Sequence, residues 1–594
     1  MRATPPKDAA TVRQAEYGSD IIVDLIRALD IPYVAFNPGS TFRWIHDSLV
    51  NYGNNHKPEI IQCCHEETSV AIAHGYAKAT GHPIVAMVHN VVGLQHAAMA
   101  IYNAWCDRAP VIVMGGTGPL DVTKRRPGID WVHTASDQGH LVRDFVKWDD
   151  QPHSLTSVPE SFLRAYQAAV TPPQGPVYLC YDAELQASPI PPEFSFPDVA
   201  NYSLPASIAP HGPLLSQAAK LLIEAQNPVI VADGVGRNPS AVADLVSLAD
   251  LLAIPVIDGG SRFNFPSSHP LDMTGASGDI LPQADVILAL EVENLFGALS
   301  GPTASGEHQN IIAPQTKVIH ICLGHLLSRG WAADCQRLQP THLTITADTA
   351  LALPQLIDIC REMLKYDDKI RQGYTLRRSR LSQQHQELRS RWEREAEGRG
   401  EEMPISPPRL ASEVYKIIKD RDWVLVNGGL TGWARRLWDF SQPNQFLGGS
   451  GGQGLGDGIG AAIGAALALA HDGKLCINLQ ADGDLLYCAT GLWTAAHHSI
   501  PLLNIMFNNR SYYNSENHAL VTARSRNRPE ANRGVGTRLE EPFVDFAQLA
   551  RSLGVYSEGP IEEPEAIAPA LKRALRVLEV DKKPALVDVV TQSR

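Results

Sequence analysis

Gln480-Ala-Asp-Gly-Asp-Leu-Leu-Tyr-Cys-Ala-Thr-Gly-Leu-Trp-Thr-Ala-Ala-His-His-Ser-Ile-Pro-Leu-Leu-Asn-Ile-Met-Phe-Asn-Asn-Arg-Ser-Tyr-Tyr513 is the stretch whose reading decides the fold. Residues 474–479 are mostly apolar and fit a buried strand, which Asp482-Gly483-Asp484 ends. Residues 491–498 place apolar side chains at helical spacing. Pro501 opens a second apolar run that stops at Asn508-Asn509. In a parallel sheet both turns fall at the carboxyl ends of the strands, where open α/β sheets bind ligands. A carboxylate and an amide then converge there, both hard oxygen donors suited to a divalent cation that also holds phosphate.

The same alternation extends outward. A third unit spans 405–594, with strands expected at 423–427, 475–479, 502–507 and 585–590. Before it, residues 368–404 are highly charged with few apolar positions and read as an exposed connecting helix. A central unit covers 214–367, with strands from Pro228 and at 254–258, 284–290 and 317–321. The Pro-rich segment 188–213 reads as a linker.

The first unit, 16–187, opens with a helix from Gly18 that carries Ile21, Ile22, Leu25 and Leu29. Strands follow at 33–36, 59–63, 84–89, 111–115 and 177–181, with helices at 68–79 and 93–105 and a polar loop at 117–140. Residues 1–15 read as a loose N-terminal arm. The pattern predicts an α/β protein of three doubly wound parallel-sheet domains.

Composition bounds the function. The 594 residues carry a net charge of −13, which argues against a nucleic-acid partner or an anionic membrane surface. The nine cysteines contain no Cys-x-x-Cys pair and sit mostly in apolar runs, the pattern of reduced thiols in a cytoplasmic protein. The N-terminus lacks an apolar signal core, and no apolar run of membrane-spanning length occurs.

The opening stretch resembles the cofactor motif of thiamine diphosphate enzymes: Gly-Asp-Gly, a fixed spacer, then Asn-Asn, with Asn509 lying 27 positions beyond Asp482. The run Leu492-Trp-Thr-Ala-Ala496 resembles the benzoylformate decarboxylase branch of that family. Two positions depart from the motif: Ala481 stands for the first glycine, and Asp484 for the small residue after the second. The resemblance implies pyrimidine-binding, central and diphosphate-binding domains, with thiamine diphosphate and Mg²⁺ as cofactors. Asp482, Asn509 and the main chain of Ser511 are the implied metal ligands. Gly428, Gly429, Leu430, Gly454, Leu455, Gly483, Asp484 and Tyr512 join them in holding the cofactor.

Glu66 is the foremost catalytic candidate. It lies in His65-Glu66-Glu67, ahead of Ala73-His74-Gly75-Tyr76-Ala77, a pattern similar to that around the family glutamate that hydrogen-bonds the aminopyrimidine ring. A buried acid there favours the imino tautomer, whose nitrogen removes the thiazolium proton. Leu455, in the glycine-rich run 449–456, matches the apolar wedge between the two cofactor rings. Asn427-Gly428-Gly429-Leu430-Thr431 follows a strand and precedes a helix, so its amides can cradle phosphate.

Ser40 and His89 resemble the substrate-carboxylate serine and the active-site histidine of benzoylformate decarboxylase. His133, His497 and His498 are weaker candidates. The second histidine of that decarboxylase has no counterpart in residues 291–297. The acidic Glu291-Val292-Glu293 occupies the place where flavin-binding members carry an Arg-Phe-Asp-Asp-Arg-like segment, so FAD is not expected.

The expected activity is decarboxylation of a 2-oxo acid, or acetolactate-synthase-like carboligation of one, with a 2-hydroxy ketone as a further substrate class. The alternatives are a flavin-linked 2-oxo acid oxidase and a catalytically degenerate cofactor-binding homologue. The resemblance also implies a homodimer or homotetramer with active sites at the subunit interface.

Overall fold

The apolar runs of the N-terminal part pair as one six-stranded sheet, parallel throughout, in the computed structural model, which describes residues 14–303, 306–327, 334–365 and 368–593. Residues 1–13 of the expected arm lie outside the described residues. In spatial order the strands are Glu59–Gln62, Tyr33–Phe36, Val85–Val88, Ile112–Thr117, Val177–Asp182 and Asp149–Asp150. Tyr33 pairs with Glu59 and Val34 with Val85, so the chain winds in both directions from Tyr33–Phe36. Val85–Val88 and Val177–Asp182 are buried at every residue, the mark of parallel strands covered by helices on both faces.

The helix expected at 68–79 begins two residues earlier, as Glu66–Thr80. His65 has extended backbone, and its ring Nδ1 accepts the amide of Glu67 at 3.2 Å, which caps the helix. Glu66 and Glu67 are therefore first-turn residues, where the helix dipole favours carboxylates. Gly81 ends the helix in the left-handed region at φ 76°.

The central sheet runs Leu343–Ile345, Lys317–Ile321, Val286–Leu290, Pro228–Ala232 and Val256–Asp258, all parallel. Leu343–Ile345 is too short to register as an apolar run. The third sheet runs Trp423–Asn427, Leu475–Ala481, Leu503–Asn508, Ala585–Val590 and Tyr556–Ile561, again parallel. Tyr556–Ile561 escapes sequence reading because it is an edge strand of mixed, half-buried composition. The protein is thus an α/β fold built on three parallel sheets.

The charged segment forms the helix Asp368–Gly398, but it is not simply exposed. Tyr374 and Leu381 enter the central core with Leu388 against them, and Ala396 enters the core of the third sheet beside Trp392. A thin apolar row within a charged sequence is enough to dock one face. Arg377 anchors the helix by donating to the carbonyls of Ala225, Gln226, Leu252 and Ala253.

The described residues cluster into two units. One takes the chain up to Pro205 with Ser450–Ala468 and Leu486–Ile500. The other takes Ala206–Gly449, Leu469–Leu485 and the remainder from Pro501. The first unit thereby includes most of the helix Asp457–Leu469 and the helix Gly491–His497. Small residues make this packing possible: a Cβ on Gly75 would lie 1.9 Å from the Ala461 carbonyl oxygen, and one on Gly464 1.9 Å from that of Ile72. No described helix is long and apolar enough to cross a membrane.

Candidate active site

In the first unit the turn after Tyr33–Phe36, the start of helix Glu66–Thr80 and the end of Val85–Val88 come together. All lie at carboxyl ends of adjacent parallel strands. Glu66 is 6% exposed. A Cβ on Gly93 would stand 2.7 Å from Glu66 Oε1 and 2.7 Å from His89 Cβ, so this glycine is what lets the two side chains converge. Glu66 Oε2 lies 3.2 Å from Nδ1 of His96, whose ring stacks on that of His65. Burial pushes the Glu66 carboxyl upward. The Asn37 amide, the backbone at the helix start and His96 outweigh it and hold the group below the usual glutamate value.

Glu67 points elsewhere. A Cβ on Gly456 would lie 2.9 Å from Glu67 Oε1, and Cys488 Sγ donates to Glu67 Oε2 at 3.7 Å. The two adjacent acids thus serve different surroundings.

His89 Nδ1 meets Thr41 Oγ1 at 3.2 Å, and its ring stands edge-on to His133 at 5.4 Å. Burial, then His133 and Arg126, lower the His89 pKa against the pull of Glu66, so the imidazole is neutral near neutral pH. Ser40 does not reach His89 by any hydrogen bond among the described residues. It accepts Arg126 Nη2 at 3.3 Å instead, while Asp130 grips the same guanidinium at 2.8 Å. Thr41, Arg126 and His96 are the members of this cluster that sequence reasoning passed over. Arg126 sits in a loop with no motif, and Thr41 is one residue from a better-known serine.

Gly454 and Leu455, expected with the diphosphate-binding domain, cluster with this first unit. Asn103 receives the Gly454 amide at 3.2 Å and returns a bond to its carbonyl at 3.3 Å. Leu455 is left 38% exposed on a glycine loop. His498 has a structural duty, accepting the Gln62 amide at 2.7 Å, and His497 stacks on Trp493.

In the second unit the acidic turn is the start of the short helix Asp482–Tyr487. Asp482 is 2% exposed; its Oδ1 accepts the Gly483 amide at 2.8 Å and its Oδ2 the Ser511 amide at 3.3 Å. Asn509 Oδ1 accepts the same Ser511 amide at 2.9 Å. The expected metal-ligand set, Asp482, Asn509 and Ser511, is therefore one constellation. Burial pushes Asp482 up to about 6 despite these amides, and no described cation pairs with it. A buried carboxylate beside an amide oxygen suits Mg²⁺, which would supply the missing countercharge.

Tyr512 packs on the turn, since a Cβ on Gly483 would fall 2.4 Å from its ring. Ser511 Oγ donates to Glu516, which Arg533 and Arg538 hold from the other side. The Gly428-Gly429-Leu430 loop lies against the strand that feeds Asp482: a Cβ on Gly428 would meet the Leu479 carbonyl oxygen at 2.1 Å. Gly428, Leu430 and Thr431 all take positive φ, and a Cβ on Gly429 would enter open space, the room a phosphate cradle needs.

Asp484 now has a partner. Its Oδ2 accepts from Gln480 Nε2, and the contact ends a chain of buried amides. Asn427 Nδ2 donates to Asn478 Oδ1; Asn478 Nδ2 is shared between Gln480 and Asn504. Asn478, Gln480 and Asn504 are fully buried. The strands expected to be apolar therefore carry a polar ladder through their interior, satisfied by its own members and, at Asn504 and Gln480, by the carbonyls of Ala585 and Ala481. In the central unit Glu291 is buried and raised to about 7, chiefly by burial, and Glu293 pairs with Arg237 at 3.1 Å.

Comparison with known proteins follows this geometry. The N-terminal thiamine pyrophosphate-binding domain of thiamine pyrophosphate enzymes matches residues 17–141, the central domain 215–356 and the C-terminal binding domain 427–589. A benzoylformate decarboxylase of Pseudomonas aeruginosa is 26% identical, covering 98% of this chain and 99% of that protein. A probable acetolactate synthase large subunit of Methanocaldococcus jannaschii is 25% identical, covering 96% and 91%. Among solved structures, a putative thiamin diphosphate-dependent enzyme from Mycobacterium smegmatis superposes with a TM-score of 0.75 at 21% identity, covering 98% of this chain and 100% of that one. A 4-hydroxybenzoylformate decarboxylase of Rhodococcus jostii gives 0.73 at 22%, covering 97% and 99%. With all three domain models matched in order, the chain belongs to the thiamine pyrophosphate enzyme family.

Proposed function

We propose that the protein is a thiamine diphosphate- and Mg²⁺-dependent enzyme that decarboxylates a 2-oxo acid, either releasing the aldehyde or joining the remaining acyl unit to a second carbonyl. The observation that carries this reading is the cluster of Ser40, Arg126, His89 and His133 beside the buried Glu66. It offers a hydroxyl and a guanidinium for a carboxylate, and imidazoles for proton transfer, of which burial lowers the pKa of His89.

Asp482, Asn509 and the Ser511 main chain are proposed to hold Mg²⁺. Gly428, Gly429, Leu430, Gly483, Asp484 and Tyr512, with Gly454 and Leu455, are proposed to hold the cofactor. Thiamine diphosphate, when bound, supplies a nucleophilic carbon and an electron sink for the bond next to the carbonyl. Glu66 would hold a proton against the aminopyrimidine ring and so set its tautomer. Ser40, oriented by Arg126, would bind the substrate carboxylate. His89, kept neutral and fixed by Thr41, would accept or deliver a proton at the substrate oxygen. Assembly as a homodimer or homotetramer belongs to the same proposal, and light scattering of the purified protein reads it out.

The test is a panel of 2-oxo acids, aromatic and aliphatic, assayed for CO₂ release with thiamine diphosphate and Mg²⁺, each with and without an aldehyde acceptor. Release from at least one acid supports the reading. Silence across the panel, with cofactor shown to be bound, refutes it.

A further inference from the structure

The glycine loop that carries Leu455 is fastened to the helix Val91–Cys106 by the side chain of Asn103. Three glycines of the loop rest on that helix and its cap. A Cβ on Gly451 would stand 2.6 Å from Asp107 Oδ1, one on Gly452 2.7 Å from Asn103 Oδ1, and one on Gly454 would strike the Met99 methyl. Asn103 is fully buried, and its amide closes on one residue from two sides. The Gly454 N–H donates to Oδ1 at 3.2 Å, and Nδ2 donates to the Gly454 carbonyl at 3.3 Å. The second bond holds the peptide that joins Gly454 to Leu455.

A loop of this kind does not hold itself. Glycines bring no side chain to pack and lose the most conformational freedom on ordering. Gln453 takes φ 54°, a left-handed conformation that a residue with a Cβ keeps only where its surroundings impose it. Gly456, on the far side of Leu455, takes φ 99°, and a Cβ on it would lie 2.9 Å from Glu67 Oε1. Leu455 between them is 38% exposed. On an unfastened loop an apolar side chain would turn out of water. Here the backbone on both sides is fixed and the leucine stands outward.

We propose that Asn103 is a positioning residue for Leu455: its side-chain amide fixes the peptide on which the leucine stands, and so the place at which Leu455 meets the cofactor. This rests on the proposed cofactor-holding role of Leu455. Asn103 itself touches neither cofactor nor substrate in this account. It acts by removing, before binding, the disorder that the loop would otherwise lose during it.

The test has one readout on the free protein and one on the loaded protein. In the full chain without cofactor, hydrogen exchange of the amides at 452–455 is followed by mass spectrometry. Asn103→Ala should speed it by roughly 10- to 100-fold, the worth of two neutral hydrogen bonds, while Leu455→Ala leaves it near the wild-type rate. With thiamine diphosphate and Mg²⁺ bound, proton exchange at the thiazolium carbon is measured in Asn103→Ala, Leu455→Ala and the double variant. Each single change should slow it by roughly 10- to 100-fold, and the double variant should be no slower than Leu455→Ala, because Asn103 acts only through the leucine. Melting temperatures check folding, and Asn103→Ser replaces alanine where that variant does not fold. Unchanged loop exchange in Asn103→Ala, or losses that multiply in the double variant, overturns the inference and leaves the proposed function standing. A wild type that binds no cofactor overturns both.

Discussion

Arg126 donates to Ser40 Oγ at 3.3 Å from the same Nη2 that Asp130 holds at 2.8 Å, so a loop without a motif orients a motif residue. The guanidinium is 43% exposed, with Asp130 beneath it at 1%. A side chain held from below and open above is placed to meet an incoming carboxylate. Arg126→Gln should therefore raise KM for 2-oxo acids by about 10- to 100-fold, the worth of one hydrogen bond to a charged group. The fall in kcat should be smaller. Steady-state kinetics check this split, and Arg126→Lys should recover part of the loss.

The Asp482 constellation gives a second prediction. Asp482→Ala should abolish Mg²⁺-dependent binding of thiamine diphosphate, read by calorimetry, and a chelator should do the same to the wild type. Undiminished affinity in the variant would remove Asp482 from the metal site. Asn509→Ala should weaken binding less, since it removes a neutral donor and leaves the carboxylate.

How much of this was legible in the sequence varies with the residue. The meeting of Asp482 and Asn509 at one amide could be read from their places at the ends of two apolar runs that pair as adjacent parallel strands. Glu66 was legible by its surroundings, and its strands by their buried runs. Three things were not. The polar ladder Asn427–Asn478–Asn504, with Gln480 and Asp484, hid because each amide is flanked by apolar residues and its partner lies on another strand. Arg126 and His96 reach the site from a loop and from the middle of a helix, and only tertiary structure reveals that. The clustering of Gly454 and Leu455 with the N-terminal unit follows from small-residue contacts such as Gly75 with Ala461, which composition does not disclose.

His74 supplies a pH dependence. It is fully buried between Asp107, 2.8 Å away, and Asp457, 3.3 Å away, and Lys78 also reaches Asp107. Burial disfavours its charge, but the two carboxylates outweigh burial and raise its pKa above the ordinary histidine value. A raised folded value means that the folded state binds the proton more tightly. The stabilisation is complete below the unfolded value and is lost as pH rises through the folded one. The wild type should lose stability on the alkaline side of the ordinary histidine range, by ~1.4 kcal/mol for each unit of difference. Lys147, lowered to about 8 by burial, acts with the opposite sign. The comparison with His74→Gln, which removes only the first effect, isolates it: melting curves should converge as pH rises.

Gly75→Ala tests the packing that carries Glu66. Its Cβ would lie 1.9 Å from the Ala461 carbonyl oxygen, a backbone atom that no rotamer change can move. Destabilisation of about 1–3 kcal/mol is expected, measured by thermal unfolding. Gly81→Ala, which meets open space but sits at φ 76°, should cost less and through backbone strain alone.

The central claim is that Glu66 activates the cofactor. The direct measurement is the rate of proton exchange with D₂O at the thiazolium carbon of bound thiamine diphosphate, followed by rapid quench and NMR, in wild type and Glu66→Gln. The variant should fold and bind the cofactor while exchange slows by roughly 10²- to 10⁴-fold, the range of general acid–base catalysis. Exchange at the wild-type rate in a loaded Glu66→Gln protein would contradict the account.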